Sequence, residues 1–317
     1  MFVVQQNHFN KQEMAKWMKL TLVKGVGPKR LQQLFSHFDS IDSIFSAKAE
    51  DLLRTGVMTQ DMVENFEKLK AASDEKFEST IDFCASNGIM MVSLVEKKYP
   101  VRLLGAGSPP CTLFLSGDAS LLNSPKTFAV VGARAANDAA MKFAYDSVQQ
   151  LANAGFVVVS GGAKGIDTQA HRSALDANGK TMVVMGTGFS YFYPEENRRL
   201  FEEIRKKGLL ISEHLPNFPG DRISFLQRNR ITSGLSDGLL FCASESLKSG
   251  TATQVKIAHS QKKPLFCPAM DMGISPNTGI RDAIAEYGVR QIRKADEIIA
   301  ALEKKLEKEK AKVIIWG

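Results

Sequence analysis

Four short segments of this chain join small residues to isolated cations or amides: 132-GARAAN-137, 160-SGGAKGID-167, 186-GTGFSYFYPEEN-197 and 249-SGTATQ-254. In the first, Gly132 permits close backbone approach and Arg134 offers a planar five-donor fork. In the second, Ser160, Gly161, Gly162 and Gly165 bring bare N–H groups to a helix N-terminus, with Lys164 as a point charge beside them. Asp167 suits an N-cap there. The third ends on Pro194 and two carboxylates that open a helix. The fourth, with Ser249, Gly250 and Thr251, is another glycine turn feeding a helix. A fifth segment, 227-QRNRITSGLS-236, gathers Gln227, Arg228, Asn229 and Arg230; on a helix, Gln227 and Arg230 share a face. The chemistry common to these segments is binding of phosphate.

Strands must position such loops. Eight runs are predicted as strands: 89–94, 112–116, 127–132, 156–160, 181–186, 209–212, 238–243 and 264–268. Several are nearly all apolar, as strands buried on both faces are. Amphipathic helices are predicted between them, one over 138–154 and another over 195–206. Strands alternating with helices specify a doubly wound α/β sheet, whose ligands lie beyond the carboxyl ends of its strands. Residues 1 to about 75 carry helical spacing, with 25-GVGPKR-30 as an interruption and Pro28 suited to a first helical turn. A connecting helix runs to about residue 87, and residues 294–317 are predicted to form a charged helix with an apolar tail. The expected organisation is therefore a helical region over 1–87, a sheet domain over 88–295 and a C-terminal helix and tail over 296–317.

Each loop has a plainer reading. One glycine-rich turn after a strand serves as well as a tight turn as it does as a phosphate cradle. Lys164 alone reads equally as a solvated lysine. Arg228 or Arg230 reads equally as a helix cap or a partner of Glu213. His171, four residues after Asp167, reads as a helix-face pair with it rather than as catalysis. Tyr191, Phe192 and Tyr193 read as packing, unless an exposed ring stacks a base. The functional reading rests on all the loops lying at one end of the sheet.

Lysine and arginine total 41 against 34 aspartate and glutamate, a net charge of +7 over 317 residues. That balance mildly favours a polyanionic partner. The four cysteines form no C-x-x-C pair and read as buried thiols; no Cys/His cluster supports zinc, and no cofactor is expected. No apolar run is long enough to span a bilayer, and the N-terminus has no secretory pattern, so a cytoplasmic location is expected.

In order along the chain, the motifs from Tyr99 and Pro109 (Y-P and P-P-C-x-L-F), V-G-A-R, S-G-G-A-K-G-I-D-x-x-A-H, G-T-G-x-x-x-x-Y-P-x-x-N, S-E-H, R-N-R-I-x-x-G-L-S and S-G-T-x-T closely resemble the DprA/Smf family over about residues 95–270. The resemblance implies an extended Rossmann-like domain that binds single-stranded DNA. It also implies a homodimer that protects incoming DNA and helps load the RecA recombinase in natural transformation. It further implies that Arg134, Lys164, Arg228 and Arg230 contact phosphate. The N-terminal region resembles the family's SAM-like or helix-hairpin-helix-like extension, and a winged-helix C-terminal domain found in some relatives is not expected.

Three rival functions follow from the same residues. The fold and S-G-T loop also resemble phosphoribohydrolases, whose P-G-G-x-G-T-x-x-E motif supplies a catalytic glutamate; here Gln254 stands at that place, and an amide cannot act as the general base. A nucleotide-binding pocket remains compatible. A dinucleotide oxidoreductase fits poorly, because S-G-G-A-K-G is only a partial G-x-G-x-x-G and 181-TMVVMG-186 ends without a ribose-binding acid. A protein scaffold would explain the charged C-terminal helix but not the cluster of anion loops.

Overall fold

A computed structural model describes residues 11–246 and 250–304. The described residues begin with six helices: α1 (Lys11–Thr21), α2 (Pro28–Leu34), α3 (Ile41–Ser46), α4 (Ala49–Arg54), α5 (Gln60–Ala71) and α6 (Glu75–Ser86). Pro28 takes the first helical turn of α2, where its missing N–H costs nothing. Then come β1 (Ile89–Ser93), α7 (Val101–Leu104), β2 (Thr112–Gly117), β3 (Thr127–Val131), α8 (Asp138–Asn153), β4 (Val157–Ser160) and α9 (Ile166–Asp176). The chain continues through β5 (Thr181–Val184), α10 (Arg198–Lys207), β6 (Leu209–Ser212), α11 (Arg222–Gln227) and α12 (Asn229–Gly234). It closes with β7 (Leu239–Phe241), α13 (Gly250–Ser260), β8 (Leu265–Pro268), α14 (Thr278–Tyr287) and β9 (Arg290–Ile292). A final helix is described over residues 296–304, and the predicted apolar tail lies outside the described residues.

The strands form one sheet in the order β1-β2-β6-β5-β4-β3-β7-β8-β9. From β6 to β9 every neighbouring pair is parallel; β1 and β2 are antiparallel additions at one edge. Strands β3, β4, β5 and β6 are buried at every residue, as their apolar sequences require. The chain winds from β3 through β4, β5 and β6 on one side, then crosses back to β7 on the other side of β3. The carboxyl ends of β3 and β7 therefore flank the point where strand order reverses, which is where a doubly wound sheet opens a crevice. This is the extended Rossmann-like architecture expected from the sequence.

All eight predicted strands are present. β9 is additional: three residues at a sheet edge, two of them exposed, leave no apolar run to read. Several strands also end earlier than predicted, so Gly132, Gly186 and Cys242 belong to loops. The N-terminal helices do not stand clear of the sheet. Trp17, Leu20 and Phe66 belong to one continuous core with Phe114 of β2, Val183 of β5 and Phe201 of α10. Burial pushes the thiols of Cys84, Cys111 and Cys267 up to about 12, keeping them protonated and unreactive.

Candidate nucleic-acid interface

The loop between β4 and α9 is held from three sides. Above it, Gly165 lies against the carbonyls of Ala133 and Arg134, with φ of +74°, so only glycine fits. The Ile166 N–H donates to the Ala133 carbonyl (3.2 Å), which fastens the loop after β3 to the loop after β4. A side chain at Gly132 would run into Ile166. On the second side, Asn197 donates from Nδ2 to the Gly162 carbonyl (3.0 Å) and to Thr168 Oγ1 (2.7 Å), bringing in the loop after β5. On the third side, the Arg228 guanidinium lies against Gly161, where a Cβ would overlap it. Asn229 then donates from Nδ2 to the Gly250 carbonyl (3.2 Å), joining the start of α13 to the same cluster. All five segments singled out in the sequence thus meet at the carboxyl edge of the sheet.

Within the cluster the predicted site residues divide into exposed and internal groups. Arg134 is exposed and, among the described residues, forms no ion pair. Lys164 is also exposed, with Nζ 2.6 Å from Glu196 Oε2. Among the described residues, the N–H groups of Gly162, Lys164 and Gly165 make no hydrogen bond within the chain. Ser160 is buried and its hydroxyl donates to the Val130 carbonyl (2.7 Å), binding β4 to β3. Gly250 and Thr251 open α13, while Ser249 lies outside the described residues.

The paired arginines take separate paths. Arg228 is only 7% exposed and donates from Nη1 to the Val184 carbonyl (3.2 Å) at the end of β5. Arg230 makes a two-pronged pair with Glu213, Nη1–Oε1 2.7 Å and Nη2–Oε2 2.6 Å, and also donates to the Gln227 carbonyl (3.1 Å). Of the readings open in the sequence, partnership with Glu213 is the one the geometry realises for Arg230.

Asp167 departs from its expected N-cap role. The N-cap of α9 is Gly165, and Asp167 is the second residue of the helix, within its first turn. Its Oδ2 accepts from the Gly161 N–H (3.2 Å) and the Ala163 N–H (3.3 Å), so it fills the inner half of the loop with its own carboxylate. Burial raises its pKa, opposed by the Arg228 charge and by those N–H donors. Arg228 is pulled below the usual arginine value by burial, with Asp167 opposing and the neighbouring Arg134 adding to the shift. His171, one helical turn on, is fully buried; burial, with the Arg228 charge second, lowers its pKa to about 3. Thr181 Oγ1 donates to the Val158 carbonyl (2.8 Å), so it accepts from His171 Nδ1 (2.7 Å). That fixes the neutral ring with its proton on Nδ1.

Of two positioning groups, one has no assignment in the sequence and the other stands there only as an alternative. Asn197 ends the Y-P-x-x-N motif and was visible there, but nothing local marks an asparagine that reaches back across 35 residues. Glu213, in S-E-H, is open in the sequence as a partner of either Arg228 or Arg230, and the meeting of β6 with α12 selects Arg230.

Fold and loops together define a doubly wound Rossmann-like domain with five loop segments gathered at its carboxyl edge. Residues 90–303 match the family model described as DNA recombination-mediator protein A, and the chain belongs to that family. Protein Smf of Synechocystis is 30% identical over 296 residues, covering 92% of this chain and 73% of its own length. DNA processing protein DprA of Streptococcus pneumoniae is 35% identical over 211 residues, 67% of this chain and 73% of its own. The X-ray structure of the Streptococcus pneumoniae DprA superposes with a TM-score of 0.77 at 28% identity, covering 92% of this chain and 97% of that one. A second structure, on the single-stranded DNA binding mode of DNA processing protein A from Helicobacter pylori, gives 0.61 at 28% identity, covering 68% and 96%. The Streptococcus pneumoniae and Helicobacter pylori relatives are named DNA processing proteins.

Proposed function

We propose that this chain binds single-stranded DNA along the carboxyl edge of its sheet, without catalysis, as a recombination mediator. The observation that carries the reading is the convergence of the loops after β3, β4 and β5, which brings exposed Arg134 and Lys164 beside three N–H groups with no internal partner. A helix N-terminus with free amides and nearby cations receives phosphate regardless of base. Arg134, Lys164 and the backbone of Gly162 to Gly165 are the proposed contacts; Arg230 serves Glu213 instead. Gln254, buried at the position where a phosphoribohydrolase carries its acid, argues against turnover. The relatives' processing role and the single-stranded DNA studied with the Helicobacter pylori protein support the same direction.

The deciding experiment is a salt titration with a labelled single strand and with duplex. Affinity for the single strand should exceed that for duplex and fall steeply with salt, as counterions are released. Lys164→Glu and Arg134→Gln should each flatten the slope of log affinity against log salt by about 0.7 per phosphate lost, with the fold intact. Salt-independent binding, or a preference for duplex, would overturn the reading. A homodimer and a partnership with RecA complete the proposal; two linked sites hold a strand more tightly than one. Light scattering that shows only monomer with DNA present would remove the dimer.

A further inference from the structure

The charges beneath the glycine loop have no place in the contacts just proposed. Arg228, Asp167 and His171 are all buried, yet they sit directly under the loop. His171 is neutral, and the remaining polar groups of this floor are the Arg228 guanidinium and the Asp167 carboxyl, whose Oδ2 accepts from two backbone N–H groups as a carboxylate oxygen does. Each grips the same peptide. Asp167 holds the N–H groups of Gly161 and Ala163, and the Arg228 guanidinium packs on Gly161 itself while anchoring to the Val184 carbonyl. Gly161 is therefore clamped between an acceptor from α9 and a planar cation from the junction of α11 and α12.

We infer that Arg228 and Asp167 are positioning residues, which hold the Gly161–Ala163 backbone so that the outer amides of the loop receive phosphate, and that Arg228 does not touch the strand. This rests on the reading that the loop binds phosphate. Its geometry supplies the reason for charges at this depth. A neutral floor would support the loop by packing alone, whereas a carboxylate holding two amides strengthens both hydrogen bonds and fixes which amides turn inward. A buried carboxylate in turn needs a nearby cation, and the Arg228 fork also fills the space left by the missing Gly161 side chain.

Asp167 is a negative charge beneath a phosphate site, so an electrostatic effect alone makes Asp167→Asn bind DNA more tightly. As a positioning residue, the same near-isosteric change weakens binding, by about tenfold if the two inner amides are released. Arg228→Met should likewise weaken binding at every salt concentration while leaving the salt slope unchanged, because no phosphate contact is lost. A residue that only stabilises the fold lowers the melting temperature but leaves the affinity of the folded protein as it was.

The test measures affinity for a fluorescent oligothymidylate across a salt series, with melting followed in parallel, for the full chain and for Asp167→Asn, Arg228→Met and Arg134→Gln. Weaker binding by Asp167→Asn with the slope of the unmodified protein supports the inference. Tighter or unchanged binding by Asp167→Asn overturns it, as does a flattened slope in Arg228→Met. If Arg228→Met does not fold, the sign of the Asp167→Asn effect decides alone. Arg134→Gln separates the two readings. A flattened slope there keeps phosphate binding whatever happens at Asp167; no change at Arg134 or at any loop residue means that the phosphate reading itself has failed.

Discussion

Lys164 Nζ lies 2.6 Å from Glu196 Oε2, an exposed pair that joins the loop after β4 to the turn before α10. The cation offered to phosphate is thus partly neutralised in the free protein, and both side chains are more than half exposed. Such pairs are weak and screened by salt. On the proposed contacts DNA competes with Glu196 for Lys164, so Glu196→Gln should tighten binding by about two- to fivefold at low salt, and the gain should vanish as salt rises. A filter-binding series on the two proteins checks this. Weaker binding by Glu196→Gln would mean that the acid positions the lysine rather than competing for it.

Gly161 is a second test of geometry, through packing. A Cβ there overlaps the Arg228 guanidinium, whose burial leaves it little room to swing away. Gly161→Ala should destabilise the fold by about 1–3 kcal/mol, the usual cost of overpacking. The clash has a named partner, so it should be absent when Arg228 is shortened: Gly161→Ala should cost little in an Arg228→Ala background. Urea unfolding of the four proteins gives the coupling, and additive costs would show that the two residues do not meet.

Arg230 and Glu213 offer a contrast with Lys164. Their side chains are 18% and 15% exposed, and the two-pronged geometry leaves the arginine little freedom. Removing one partner strands a largely buried charge near Tyr99, Cys111 and His214. Arg230→Met should cost on the order of 2–3 kcal/mol, somewhat less than a fully buried pair because some water reaches it. Arg230→Met with Glu213→Gln should recover most of that loss. The DNA salt slope should not change in either protein; a flattened slope would return Arg230 to the contact set.

These residues also show where reading the sequence reaches its end. The buried parallel strands were legible because 127-TFAVV-131 and 157-VVVS-160 have no polar face to offer water. The meeting of the loops followed from the rule that a doubly wound sheet presents its loops at one edge. The division of labour between Arg228 and Arg230 was not legible. Helix α11 ends at Gln227 and α12 starts at Asn229, so Arg228 sits at a break and helical spacing cannot say which way it turns. Asp167 was misread for a related reason. Its position near a helix start suits an N-cap, but the positive φ at Gly165 shifts the helix start and turns the carboxylate back under the loop.

His171 supplies a prediction in pH. In the folded chain it stays neutral down to about 3, because burial and the Arg228 charge oppose protonation. Unfolded, it titrates near its ordinary value of ~6.5. Between those limits the unfolded chain binds the extra proton, so stability is full above ~6.5 and is lost progressively as pH falls towards about 3. Asp167 works in the opposite direction, since its raised pKa lets the folded chain take up a proton before the unfolded chain does. Comparing the protein with His171→Asn cancels that contribution and those of the other carboxylates. Asparagine keeps a donor for Thr181 Oγ1, so the hydrogen bond of 2.7 Å has a substitute. Between about pH 7 and about pH 5 the unmodified protein should lose about 2 kcal/mol more stability than His171→Asn, as urea titrations at the two pH values will measure. Equal losses would mean that the ring is protonated in the folded chain, and the neutral His171 beneath the glycine loop would have to be given up.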